Sequence, residues 1–484
     1  MASFQLGKNS VIGLKTLSTA PWGTEQTVNT LMVGWGGASG VANEMIFSNA
    51  AGEVYQQTDT AGLVKAHAEV KVDLAFSGFE TLLACCFGQA VGAPSGTAAT
   101  GYTHVFDFPA AGNNVLVSTI SNYEGLADEA AYVPVNRTAR SCKLNQWNLD
   151  FPKSGPAKLD TKWLADFIIE NSLVNTPAVL QALTTPTQHT YRGKITGSHF
   201  STSRNNNGYI RLGPIGAVAI SAPKCTTVAG STSGIWTVGT TTVTAFPIPP
   251  CKITLTFNAA TTFDYTTSAG ATGSGTDAVS FTVTFKAGCT QVLTFTKSGT
   301  WASGDTAVAW LYYDATGTDV ALGATNGVLP NHHKYSVDWH LDGANGPSHT
   351  ILDPFSKSQP TMKADLDFDD DAGTVDPYNI LRGIKYMSAG RSEGIPIGDY
   401  KLEAYGESAL YAGTGAAALR YSILIQIPRM SVQWKDGAIS GPGPQPGKFE
   451  FKVMKPFAAP VGMTGVTGPM RITIVSTLST APAA

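Results

Sequence analysis

Residues 71–88 read KVDLAFSGFETLLACCFG. Val70, Val72, Leu74 and Phe76 alternate with Lys71, Asp73 and Ala75, the period of a half-buried strand. Ser77 follows at once and, with Glu80 three residues on, has the form of a capping box, which predicts a helix start. Phe79, Leu82, Leu83 and Cys86 then share one helical face, and Gly88 marks a stop. The opening of this stretch returns as KADLDF at 363–368, where Lys363-x-Asp365-Leu366-x-Phe368 repeats Lys71-x-Asp73-Leu74-x-Phe76. Asp376-Pro377 offers a second helix start, with Tyr378, Leu381 and Ile384 as its apolar positions. Long alternating strands follow each copy. CKLNQWNLDF (142–151) follows the first, with Asn145, Trp147, Leu149 and Phe151 on one face; RYSILIQIPRMSVQWK (420–435) and KFEFKVM (448–454) follow the second. One strand–helix–strand unit is expected to occur twice.

The whole chain agrees with a β protein. Of 484 residues, 43% are hydrophobic and only 14% charged. Gly, Ala, Thr and Ser fill the space between apolar residues, which favours short strands joined by turns over long solvated helices. A net charge of −3 without a basic run excludes the ordinary electrostatic nucleic-acid binder. The opening MASFQLGKNSVIGLK lacks the apolar core of a signal peptide, and no apolar run approaches the ~18 residues of a membrane span. These features predict a protein that folds in a cytoplasm and has no membrane span. The cysteines are Cys85, Cys86, Cys142, Cys225, Cys251 and Cys289. None forms a Cys-x-x-Cys pair, and reduced core thiols are expected.

Between the two copies the texture changes. From 218 to 330 the charged residues are Lys224, Lys252, Asp264, Asp277, Lys286, Lys297, Asp305, Asp314 and Asp319. CKITLTFNA, AVSFTVTFKAG and TQVLTFTKSG alternate between Gly/Ser/Thr turns, which predicts an inserted immunoglobulin-like sandwich. Residues 34–53 read as a long Gly-rich excursion, and the longer segment 34–62, without structure of its own, as a candidate arm toward a partner. GPGPQPG (441–447) reads as a hairpin loop.

The candidate chemical motifs are weak. Gly7-Lys8-Asn9-Ser10 lacks the upstream glycine of a phosphate loop. NHHK (331–334), with His340 and His349 beyond, reads as a surface loop. The acidic FDDDAG (368–373) lacks the glycine and terminal glutamate of a calcium loop. Asn136-Arg137-Thr138 has the form of a glycosylation acceptor, which a chain that is not secreted would not use. Neither a nucleophile elbow nor a paired-carboxylate context appears, so no enzyme, catalytic residue, metal or cofactor is expected.

VKVDLAFSGFETLLACCFGQA, YTHVFDF (102–108), VLVSTISNYEG and RSCKLNQWNLDF, followed much later by IPRMSVQWKDGAIS and FEFKVMKPFAAP, resemble the major tail tube protein of long-tailed bacteriophages. The resemblance covers residues 1 to about 215 and 335–484. It implies a mainly β fold: two tandem tail-tube β-sandwich or barrel folds, each with one flanking helix, plus the inserted immunoglobulin-like β-sandwich. The first tail-tube fold is expected at 1–190, the second at 191–217 and 335–484, and the insert, as a decoration domain, at 218–334. The resemblance also implies a structural virion protein of the tail tube, assembled in the host cytoplasm. Subunits would pair edge to edge into stacked rings around a channel for viral DNA, which passes without specific binding. A fused two-fold chain would close its ring as a homotrimer with pseudo-sixfold symmetry, otherwise as a homohexamer. A tape measure protein and a tail terminator are the further partners that the family implies. A lumen that lets DNA slide should avoid net positive charge. Lys71 and Asp73, with Lys363, Asp365, Asp367, Asp369 and Asp371, are therefore the candidate lumen-facing residues, the second set strongly acidic. The inserted sandwich could touch host-surface sugars. The alternatives are a β-sandwich adhesin or carbohydrate-binding protein, and a tail-tip hydrolase, for which the residues offer no nucleophile or carboxylate cluster.

Overall fold

Both copies of the Lys-x-Asp-Leu-x-Phe motif begin on strands of one sheet. The computed structural model describes residues 10–17, 19–47, 59–89, 91–109, 114–124, 135–152, 154–183, 193–200, 208–214, 218–228, 232–239, 251–268, 270–286, 289–313, 332–343, 352–368, 400–433, 447–460 and 462–482. The chain is mainly β.

The first part comprises β1 (Ser10–Leu17), β2 (Thr30–Met32), β3 (Gly34–Phe47), β4 (Asp59–Asp73), α1 (Glu80–Phe87), β5 (Ser95–Thr97), β6 (Gly101–Asp107), β7 (Val117–Glu124), β8 (Val135–Phe151), β9 (Lys158–Ala165), β10 (Ile168–Glu170) and α2 (Pro177–Gln181). After β11 (Gly208–Pro214) the strands β12 (Val218–Ile220), β13 (Lys224–Thr226), β15 (Cys251–Phe257), β16 (Thr262–Thr267), β17 (Thr272–Thr276) and β20 (Thr306–Tyr313) make a 6-stranded sheet, and β14 (Thr232–Val238), β18 (Ser280–Lys286) and β19 (Cys289–Gly299) a 3-stranded one. The chain then continues through β21 (His332–Asp338), the short ribbon β22 (Leu341–Asp342) with β23 (Phe355–Ser356), β24 (Thr361–Phe368), β25 (Tyr400–Tyr411), β26 (Arg420–Gln433), β27 (Gly447–Val453) and β28 (Arg471–Ser476).

The strands outside β12–β20 and the ribbon form one 17-stranded sheet. Its first part pairs in the order β1-β7-β8-β9-β4-β3, and its second in the order β11-β25-β26-β27-β24-β21. The two orders correspond strand for strand. Two seams join them. The C-terminal end of β8 pairs with β21, and β6 pairs with β28. At the second seam the Arg471 guanidinium donates to both oxygens of Asp107, at 2.8 and 2.7 Å, the forked geometry that makes such pairs strong.

Alternation fixes which face is buried. Val70, Val72 and Leu74, then Trp147, Leu149 and Phe151, then Tyr335, Val337, Ala364, Leu366 and Phe451 all belong to one continuous core. Helix α1 plugs that core. It is buried on nearly every side, Glu80, Ala84, Cys85 and Phe87 included, beyond the face that spacing alone marks. Trp147 Nε1 donates to the carbonyl of Cys86 at 2.9 Å, which fixes the helix end to β8. Gly88 ends the helix in the left-handed region at φ 70°, with its amide bonded to the carbonyls of Ala84 and Cys85. A side chain there would press on Asn114 and Trp339.

The helix start differs from the expected capping box. Phe79 occupies the cap position, and no side chain caps the helix. The Ser77 hydroxyl lies 3.5 Å from that of Thr477, and Glu80 instead accepts from the Gly78 amide at 2.7 Å. The side-chain cap is therefore absent, and Ser77 turns instead to the far C-terminal segment. The segment 34–62 also differs: 34–47 and 59–62 belong to the paired strands β3 and β4. NHHK is likewise no loop from His332 on, because β21 pairs with strands on both sides. The second helix start at 376–377, His349, Gly7 to Asn9, Asp369 to Gly373 and the proline-rich loop at 441–446 lie outside the described residues.

The two sheets of β12–β20 enclose their own core, which includes Trp236, Ile253, Phe257, Phe295, Trp301 and Leu311. Phe257 and Trp301 pack with ring centroids 4.3 Å apart. Cys85, Cys86, Cys142 and Cys225 are free thiols. Burial pushes the Cys85 thiol up to about 11, against hydrogen bonds from Thr16 and Ser118 that favour the thiolate.

Candidate functional site: a charge-paired sheet face

The face opposite the core runs across β4, β9, β8, β21, β24 and β27. Adjacent strands are antiparallel, so cross-strand neighbours form rows. One row reads Asp73, Lys158, Asp150, Lys334, Asp365 and Glu450. The next reads Lys71, Asp160, Asn148, Ser336, Lys363 and Lys452. A third reads Glu69, Lys162, Gln146, Asp338 and Thr361. Between the first two rows lies Val72, Leu159, Leu149, Tyr335, Ala364 and Phe451, each at most 5% exposed and facing the core.

The two motif copies are therefore brought onto one face and into the same rows. Lys71 and Lys363 share one row, and Asp73 and Asp365 the other. Four antiparallel steps separate β4 from β24, so the two copies also run in the same direction. Lys71 is exposed and pairs loosely with Glu69 on its own strand at 3.5 Å. Asp73 is drawn toward Lys194, whose Nζ donates to it at 2.7 Å. Lys363 donates to Glu450 on β27 at 2.6 Å. Asp365 is half-buried between Lys334 and Glu450 in its row. Asp367 meets the ring of His332 at 3.1 Å. Asp369 and Asp371 lie outside the described residues.

Across these three rows the charges nearly balance. The rows hold six lysines (71, 158, 162, 334, 363 and 452) and seven carboxylates (69, 73, 150, 160, 338, 365 and 450). The motif copies supply only part of this. Lys158, Asp160 and Lys162 of β9, and Asp150 of β8, carry much of the balance. Their signal was the plain alternation of KLDTKWL (158–164), which marks a half-exposed strand without saying what it faces.

His332 sits at the centre of the β8–β21–β24 junction, between the carboxylates of Asp150 and Asp367. Partial burial disfavours its charged form, but the hydrogen bonds and charges of the two aspartates outweigh it, and its pKa is raised. The neighbouring His333 points to the core, stacks on Phe151 with centroids 4.4 Å apart and planes 7° from parallel, and bonds the Tyr335 hydroxyl at 3.0 Å. Burial, and secondarily the charge of His332, lowers its pKa to about 3, so it is neutral.

A raised folded pKa means that His332 contributes stability fully below its unfolded value of ~6.5, and that this is lost as pH rises through the folded value. The stability gap between the parent chain and His332→Gln is accordingly expected to be wide at pH 5.5 and to close by pH 9. Urea unfolding midpoints at the two pH values check it. An equal gap at both would remove the ionic role.

Among the described residues no group of three or more His, Cys, Asp or Glu side chains could hold a metal ion, and no helix is long and apolar enough to cross a membrane. No known protein family and no curated protein sequence matches the chain.

Proposed function

We propose that the chain is a structural subunit of a hollow tube, a phage tail tube, whose charge-balanced face lines a channel for viral DNA. The observation that carries this reading is the run β3-β4-β9-β8-β21-β24-β27-β26, eight strands in which a strand order occurs twice in one direction and in one register. Such a run cannot close on itself around its polar face. An 8-stranded barrel has an interior only wide enough for packed side chains, whereas the Lys71 side chain is 51% exposed.

Three copies would make a barrel of about 24 strands. With strands ~4.8 Å apart and tilted ~40°, its backbone diameter is about 45–50 Å, which leaves an open bore. Alternating charge suits that bore. Phosphates meet carboxylates as often as lysines, so the wall offers no net counter-ion for DNA to hold. In this reading the two halves are tail-tube folds, β12–β20 is the immunoglobulin-like decoration, and the virion is the location. A tape measure protein and a tail terminator would be further partners.

End-on electron micrographs of the concentrated protein test it. Hollow rings with three projections around a pseudo-sixfold wall are expected. Six projections would keep the tube and remove the trimer; compact particles without a hole at any concentration would sink the reading.

A further inference from the structure

The correspondence between the two halves extends to their edges, and among the described strands only one of these edges is covered. At the covered seam, Asn148 of β8 lies opposite Ser336 of β21 and Asp150 lies opposite Lys334. The rows give each residue its counterpart. Asn148 is reached from Lys71 through Asp160, and Ser431 is reached from Lys363 through Lys452, so Ser431 of β26 corresponds to Asn148. Ser336 pairs with Lys363 and Trp35 pairs with Lys71, so Trp35 of β3 corresponds to Ser336.

Among the described residues these counterparts have no strand beside them. On one side β3 pairs with β4, and among the described strands none pairs with its other side. At Ser431–Gln433, β26 pairs with β27; its pairing with β25 ends at Met430. Beside these open edges sits unusual apolar exposure. Trp35 is 60% exposed, Val33 40% and Phe457 73%, and the Arg429 guanidinium lies 4.2 Å over the Phe457 ring. An open strand edge with a bare tryptophan is an association surface unless something covers it.

We infer that a second copy of this chain covers it, in one register: β3 of one copy pairs antiparallel with the end of β26 of the next, Trp35 opposite Ser431. The seam repeats the β8–β21 pairing that the chain makes within itself. Trp35 then lies diagonal to Arg429, within the reach of a long side chain over an aromatic face. The inference rests on the tube reading and adds to it the strands and the register.

Paired cysteines read the register. In W35C/S431C the two Cβ atoms face each other across the seam, within disulfide range. In V33C/S431C they are diagonal, about 7–8 Å apart and out of range. Mild oxidation of assembled W35C/S431C is expected to link chains into dimers and trimers and nothing larger on a non-reducing denaturing gel. The parent and V33C/S431C should link at least tenfold less. Hollow rings without links in W35C/S431C, or with equal links in V33C/S431C, would overturn this seam and leave the tube standing. A chain that stays monomeric throughout would overturn both. Should the loss of Trp35 itself prevent assembly, hydrogen exchange on the parent protein decides. Amides of 33–35 and 431–433 are expected to slow at least tenfold in the assembled form, and unchanged exchange there would overturn the seam.

Discussion

Replacing both Asp160 and Asp365 by lysine is expected to make the charge-balanced face, which the tube proposal takes to be indifferent to DNA, grip it. The three rows would then hold eight lysines against five carboxylates, where the parent has six against seven. Both positions are half-exposed, so the cost to folding is small. A lysine at 160 lies opposite Lys71, and one at 365 keeps Glu450 as a neighbour while facing Lys334. Like charges directly opposite on a sheet cost about 0.2–1 kcal/mol each. The gain in DNA affinity is larger, because every phosphate neutralised releases condensed counterions and adds about 0.9 to the slope of log affinity against log salt. Co-sedimentation of assembled protein with a short duplex at 50 and 200 mM salt reads it. The parent is expected to leave the duplex in the supernatant at both salts. The variant should retain it at the lower salt and lose it steeply at the higher. An assembled variant that ignores DNA would mean that this face does not line the channel.

The face also shows what the sequence could and could not reveal. The alternation of VKVDLAF sufficed to place Val70, Val72, Leu74 and Phe76 in the core, because burial on a strand depends on period alone. The echo at Lys363 was equally readable, since it needs only residue identity. The partners across the strands were not readable. Lys158 and Asp160 neutralise the row of Asp73 and Lys71 through register, a property of two segments at once. The same holds for Ser77, whose sequence context fits a helix cap but whose hydroxyl lies near Thr477, far along the chain. In β21 the alternation was present in His333, Tyr335 and Val337 and carries on to Trp339 just beyond it, all buried. It was hidden because a histidine counts as polar until a stacking partner such as Phe151 makes it part of the core.

That stack also locates the single side chain whose loss should do the most damage. Phe151 is fully buried as the last residue of β8. It stacks on His333, meets the edge of Phe200 at 4.8 Å and lies 6.2 Å from Tyr335. Its backbone pairs with His333 across the seam that joins the two halves. Phe151→Ala removes all three ring contacts and leaves a cavity that rigid strands on both sides cannot collapse, a change that typically costs about 3–5 kcal/mol. It also exposes the ring of His333, whose pKa burial holds down to about 3. Exposure lets that pKa rise toward its unfolded value, so the variant should lose less of its remaining stability on acidification than the parent does. The expected result is a large fall in the urea midpoint, together with faster amide exchange in β21 than in β9. The two strands separate the explanations, because both pair with β8 but only β21 pairs with its terminal phenylalanine. Loss of protection in β21 with an unchanged midpoint would mean that the halves hold together through β6 and β28 instead. Equal loss in both strands would mean that Phe151 supports the core as a whole rather than the seam.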